Sequence, residues 1–116
     1  MGLDMLIFDE NQEEVTYWRK EPAIHDWFRQ LADKKGIKYD IFNGVKVPVT
    51  IDDVLELQSK ILTLDLDLEA SGFFFGSNSD MTELEKTHFR TRNLSTIADM
   101  LEALGEGHTI HYDSWW

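Results

Sequence analysis

Four apolar side chains, Ile24, Trp27, Phe28 and Leu31, stand at i, i+3, i+4 and i+7. A helix turns that spacing onto one face, so the chain must lay an amphipathic helix against an apolar surface. Pro22 suits a first helical position, where its missing N–H costs nothing. Lys34 and Lys35 fall in the last turn, opposing the negative end of the helix dipole, and Gly36 supplies a left-handed stop. Two starts fit: the helix begins at Pro22, or it includes Val15 to Lys20 and bends at the proline.

The surface it covers is expected to be a sheet. Leu3 to Phe8 reads as a strand followed by a polar loop, Asp9 to Glu14. Ile37 to Phe42 and Val45 to Val49 flank Asn43-Gly44, a favoured pair for two-residue hairpin turns because both residues need positive φ. Pro48 puts the second of these strands at an edge. Thr50 caps a second helix with Asp53 as its reciprocal partner, and Ile51, Val54, Leu55, Ile61 and Leu62 form its buried face. Thr63 to Glu69 alternates Leu64, Leu66 and Leu68 with Asp65, Asp67 and Glu69, which is strand periodicity. Asp80 and Glu83 make a capping box for a third helix that Gly105 ends, with Ile97, Ala98, Leu101 and Leu104 inward and a break open at Thr91 to Asn93. Thr109 to Trp116 is a last strand. The order predicts one α+β domain over residues 1–116: a small antiparallel sheet, hairpin plus terminal strands, with about three helices on one face.

Charge restricts the partners. The 116 residues hold 22 Asp plus Glu against 11 Lys plus Arg, a formal net of −11. Counterion release on a phosphate backbone needs cations, so direct nucleic-acid binding is not expected. Such a field attracts basic partners or keeps a protein soluble. The chain has no cysteine, which removes disulfides, thiolate metal sites and cysteine nucleophiles. Neither a signal peptide nor a membrane-length apolar run is visible, so a cytoplasmic protein is expected.

The densest acidic cluster is Asp52, Asp53, Glu56, Asp65, Asp67 and Glu69, with Glu83 and Glu85 as further members of a partner-binding surface. A candidate ligand pocket gathers Tyr17, Trp18, Arg19 and Lys20 with His25 and with Gly72, Phe73 and Gly76. An aromatic pair beside a guanidinium can hold a planar or anionic ligand by stacking and forked hydrogen bonds, and glycines allow close backbone approach. The competing reading packs Trp18 and pairs Arg19 with local acids. His108-x-x-His111 would face both sides of a strand, so no metal is expected there. Asp65-x-Asp67-x-Glu69 lacks the glycine and closing glutamate of a calcium loop. No cofactor, catalytic residue or reaction class is indicated.

Tyr17-Trp18-Arg19-Lys20, Ile24-His25-x-Trp27-Phe28, Ser71-Gly72-Phe73-Phe74-Phe75-Gly76-Ser77 and the closing Ser114-Trp115, after Gly2-Leu3-Asp4-Met5, together resemble a family of small bacteriophage and prophage proteins. Pro22 and the Asn43-Gly44 segment depart from the family pattern, as does the stretch after Gly76, which lacks an acidic-aromatic run. The family carries no settled activity. What the resemblance implies is a phage setting in a bacterial host, where small accessory proteins often counter host defences.

Three functions are therefore expected, in order. The first is a non-enzymatic inhibitor of a defence complex, of the anti-CRISPR kind, whose carboxylates mimic nucleic acid on a basic host effector. The second is a small-molecule binder, a sponge for a nucleotide immune signal. The third is an acid–base enzyme.

Overall fold

A computed structural model describes residues 3–66 and 82–116, and the backbone of 71–72 and 76–77. In chain order it holds β1 (Asp4–Asp9), β2 (Glu14–Arg19), α1 (Pro22–Lys34), β3 (Val47–Val49) and α2 (Ile51–Thr63). There follow β4 (Ser71–Gly72), β5 (Gly76–Ser77), α3 (Glu83–Gly105) and β6 (Ile110–Trp115). Four strands make one antiparallel sheet in the order β2-β1-β6-β3, and β4 pairs only with β5. This is an α+β fold in which the first and last strands lie side by side.

Register decides which face is core. Met5 sits opposite Trp18 and Ser114, and Ile7 opposite Thr16 and Tyr112. Val47 and Val49 face Tyr112 and Ile110. All of these are buried. Because strand side chains alternate, the neighbours Leu6, Phe8, Tyr17, Arg19, His111 and Trp115 share the other face. There Tyr17 is 44% and Trp115 72% exposed.

On the buried face, Phe28 of α1 stacks on Tyr112 of β6, ring centroids 3.9 Å apart and 9° from parallel. Trp18 and Trp27 meet Phe28 edge-on at 5.8 and 5.1 Å. Burying each such ring fully contributes roughly 1.5–3 kcal/mol. The expected i, i+3, i+4, i+7 face of α1 is therefore the centre of the core, and the helix begins at Pro22. Residues 15–19 belong to β2 instead, and Lys20 at φ 55° turns the chain between them.

Several expectations fail for physical reasons. There is no hairpin across Asn43-Gly44: Gly44 has φ 69° but Asn43 is not positive, as a primed turn would demand. Phe42 instead enters the core beside Tyr112, centroids 6.0 Å apart, and Asn43 bonds the backbone N–H and C=O of Trp116. Only Val47–Val49 is a strand, and it pairs with β6.

The Thr50 capping box with Asp53 forms as expected. The buried face of α2 is Val54, Leu57 and Ile61, however, and Ile51, Leu55 and Leu62 are exposed. Thr63 to Leu66 is not a strand: α2 runs to Thr63 and ends on Leu64 at φ 55°. Asp67, Leu68 and Glu69 lie outside the described residues. Thr82, not Asp80, caps α3, its hydroxyl accepting from Glu85 N–H; Asp80 too lies outside the described residues. α3 is one continuous helix through Thr91–Asn93, with Phe89, Asn93, Ile97 and Met100 buried and Ala98 exposed. Among the described residues no helix is long and apolar enough to cross a membrane.

Candidate functional site

The described side chains of the expected ligand pocket do not share one face. Strand alternation sends Trp18 into the core while Tyr17 and Arg19 stand on the open sheet face. The Tyr17 hydroxyl donates to Asp4 at 2.7 Å. Lys20 is exposed, its N–H bonded to Leu3 C=O at 2.9 Å. His25 is buried in the aromatic core, its Nδ1 bonded to the Tyr112 hydroxyl and its ring also hydrogen-bonded to the Phe42 backbone. Burial lowers its pKa to about 4, so it is neutral at pH 7. Gly72 and Gly76 are backbone partners in the β4-β5 ribbon, and Phe73 lies outside the described residues.

The expected acidic surface is largely neutralised. Asp53 sits 2.7 Å from Lys35 and accepts from Thr50 N–H; burial opposes its charge, but these bonds prevail and lower its pKa. Glu56 faces Lys34 at 3.8 Å, Asp65 faces Lys60 at 2.9 Å, and Glu83 faces Lys86 at 3.2 Å. Glu85 closes the α3 cap by accepting from the Thr82 hydroxyl. Asp52 is exposed in the first turn of α2, and Asp67 and Glu69 lie outside the described residues.

Unpaired charge collects elsewhere. Residues 1–18 carry Asp4, Asp9, Glu10, Glu13 and Glu14, and residues 93–116 carry Asp99, Glu102, Glu106 and Asp113, with no Lys or Arg in either stretch. The fold places the β1–β2 turn beside the C-terminal end of α3. There Asp9, Asp99, Glu102, Glu106 and His108 line a cleft of about 240 Å³. Thr16 in β2 donates to Asp99 at 3.0 Å, tying sheet to helix. The last turn of α3 has no basic residue, so Glu102 and Glu106 add to the negative end of its dipole. Among the described residues the basic side chain at this pole is His108, 2.7 Å from Glu10. That hydrogen bond raises the His108 pKa and lowers the Glu10 pKa.

A second feature also escaped sequence reasoning. Glu21 is 4% exposed and paired with Arg92 at 2.6 Å, across 71 positions of sequence. Burial raises its pKa despite the guanidinium. Asn93 Oδ1 and Trp18 Nε1 are buried without hydrogen-bond partners among the described residues. Such groups are few in folded proteins. No short-range signal marks either feature, because each joins residues about 70 to 100 positions apart.

Fold and site together define a small α+β protein with an open sheet face and an acidic pole. Compared with protein-family models, with curated proteins and with solved structures, the chain matches none.

Proposed function

We propose that this chain is a binding protein whose acidic pole, at the β1–β2 turn and the end of α3, engages a positively charged partner. One observation carries the reading: around α2, Asp53, Glu56 and Asp65 have lysine partners, whereas no lysine or arginine pairs with Asp9, Glu10, Glu13, Asp99, Glu102 or Glu106 among the described residues. Uncompensated charge speeds encounter with an opposite surface and selects against wrong ones. The phage-like motifs supply the setting: a nucleic-acid-binding defence effector, blocked without catalysis by carboxylates standing where phosphates would. The test is competition with duplex DNA for a panel of host defence nucleases at low salt. The wild type should displace DNA. Glu13→Lys/Glu102→Lys/Glu106→Lys should lose about tenfold or more in affinity, about 1.4 kcal/mol, while Asp52→Lys/Glu83→Lys stays within about twofold. Failure of the wild type to displace DNA from any nuclease rejects the proposal.

A second reading, a small polar ligand such as a nucleotide, is favoured by Trp18 Nε1 and Asn93 Oδ1, one donor and one acceptor buried without a partner among the described residues. A ligand at a hundred times its dissociation constant adds about 2.7 kcal/mol of stability. A nucleotide thermal-shift screen without any stabilised sample rejects it.

A further inference from the structure

We infer that Asp9, Glu10 and His108 form a binding site for a divalent transition-metal ion such as Zn²⁺. The inference does not rest on the partner reading, because the metal alone is its ligand. One oxygen of each carboxylate and one imidazole nitrogen all lie within 4.8 Å of one another. The His108 ring is what separates this group from an ordinary patch of surface acids. A neutral imidazole with two carboxylates is a donor set for borderline first-row ions, whereas Mg²⁺ and Ca²⁺ prefer all-oxygen shells.

Rigidity and charge support the assignment. Asp9 is buried and held in place: its Oδ1 accepts from the N–H groups of Asn11 and Glu13 at 2.8 and 3.0 Å. Glu10 is braced by Thr109 N–H on one oxygen and His108 Nδ1 on the other. His108 itself is fixed to the end of α3 through its N–H to Ala103 C=O at 3.1 Å. An ion here would replace the hydrogen bond between His108 Nδ1 and Glu10. Ligand atoms about 2 Å from zinc lie about 3.3 Å apart, so the group must close by roughly 1.5 Å, a movement within reach of the two partly exposed side chains. The negative end of α3, Glu106 at 3.8 Å from His108 Nε2, and the adjoining cleft favour a cation and leave room for a water as fourth ligand.

The experiment is calorimetric titration of untagged full-length protein with Zn²⁺, then Mg²⁺ and Ca²⁺, alongside NMR of the four histidine rings. One Zn²⁺ per chain is expected, perturbing the His108 ring and leaving His25, His88 and His111 in place, with no heat from Mg²⁺ or Ca²⁺. His108→Gln and Glu10→Gln should each weaken binding about tenfold or more. Both side chains are partly exposed, so unchanged circular dichroism and melting without metal should accompany the loss. Absence of Zn²⁺ binding, binding that His108→Gln leaves intact, or a signal centred on His88 or His111 overturns the assignment. Binding of Mg²⁺ or Ca²⁺ as tight as that of Zn²⁺ overturns the choice of ion class.

Discussion

Around α2, Asp53, Glu56 and Asp65 each meet a lysine, and Asp53 also caps the helix that carries it. Around the β1–β2 turn and the end of α3, six carboxylates gather with one histidine, against an unfavourable helix dipole. The difference teaches that a net charge of −11 is not a surface. Folding sets Lys34, Lys35 and Lys60 against carboxylates on one flank and, among the described residues, pairs no lysine with those at the other. The buried centre adds a third regime, in which desolvation keeps His25 neutral beside the Tyr112 hydroxyl.

Acid should break the centre first. The folded-state pKa of His25 is depressed to about 4 from 6.5, so the unfolded chain binds its proton at a higher pH than the folded one. Stability from this group is present above pH 6.5 and is lost as pH falls from 6.5 to about 4, by up to about 3 kcal/mol. Urea midpoints from pH 7 to 4 should show this slope in the wild type and not in His25→Gln. Equal slopes would show that His25 is solvated.

Removing Arg92 should come next. Glu21 would then be buried without its cation, and the variant Arg92→Ala should lose about 2 kcal/mol at pH 7, below the range for fully buried pairs because Arg92 is half exposed. Because the folded pKa of Glu21 is raised, its carboxylate costs least when protonated, and the deficit should shrink as pH falls toward the unfolded value of 4.5. A deficit constant with pH would place the loss in the contact of Arg92 with the Phe89 ring instead.

The smallest effect contrasts the two acidic flanks directly. Glu102→Lys puts a cation in the last turn of α3 and should raise stability by about 0.5 kcal/mol at low salt. Asp52→Lys puts one in the first turn of α2 and should lower it by a similar amount. Both shifts should fade in high salt; shifts of the same sign would remove the asymmetry between the flanks.

Helices were the most legible part of the chain, because their signals are local. The α1 spacing and the Thr50–Asp53 box each need only neighbours within a few residues, and each forms as expected, while the structure chose Pro22 from the two starts that fit. The Asn43-Gly44 hairpin failed because its partner strand was supplied from elsewhere: β6 takes Val47–Val49, while Asn43 ties down Trp116. Tyr17-Trp18-Arg19 looked like one recognition patch until pairing with β1 made residues 15–19 a strand and parted alternate side chains. Of the expected acidic surface, Asp52 and Glu85 are both exposed and placed without a cation among the members described.

What the sequence determined by itself was composition-deep and short-range: an excess of carboxylates, a cysteine-free chain, an amphipathic α1 and the Thr50–Asp53 cap of α2. Tertiary structure alone decided that residues 3–18 and 93–116, both without Lys or Arg, would lie side by side. The reason is that β1 and β6 pair across the whole chain, a contact fixed by which buried faces fit together. His108 meets Glu10 only through that pairing, and with it comes the pole on which the proposed chemistry stands.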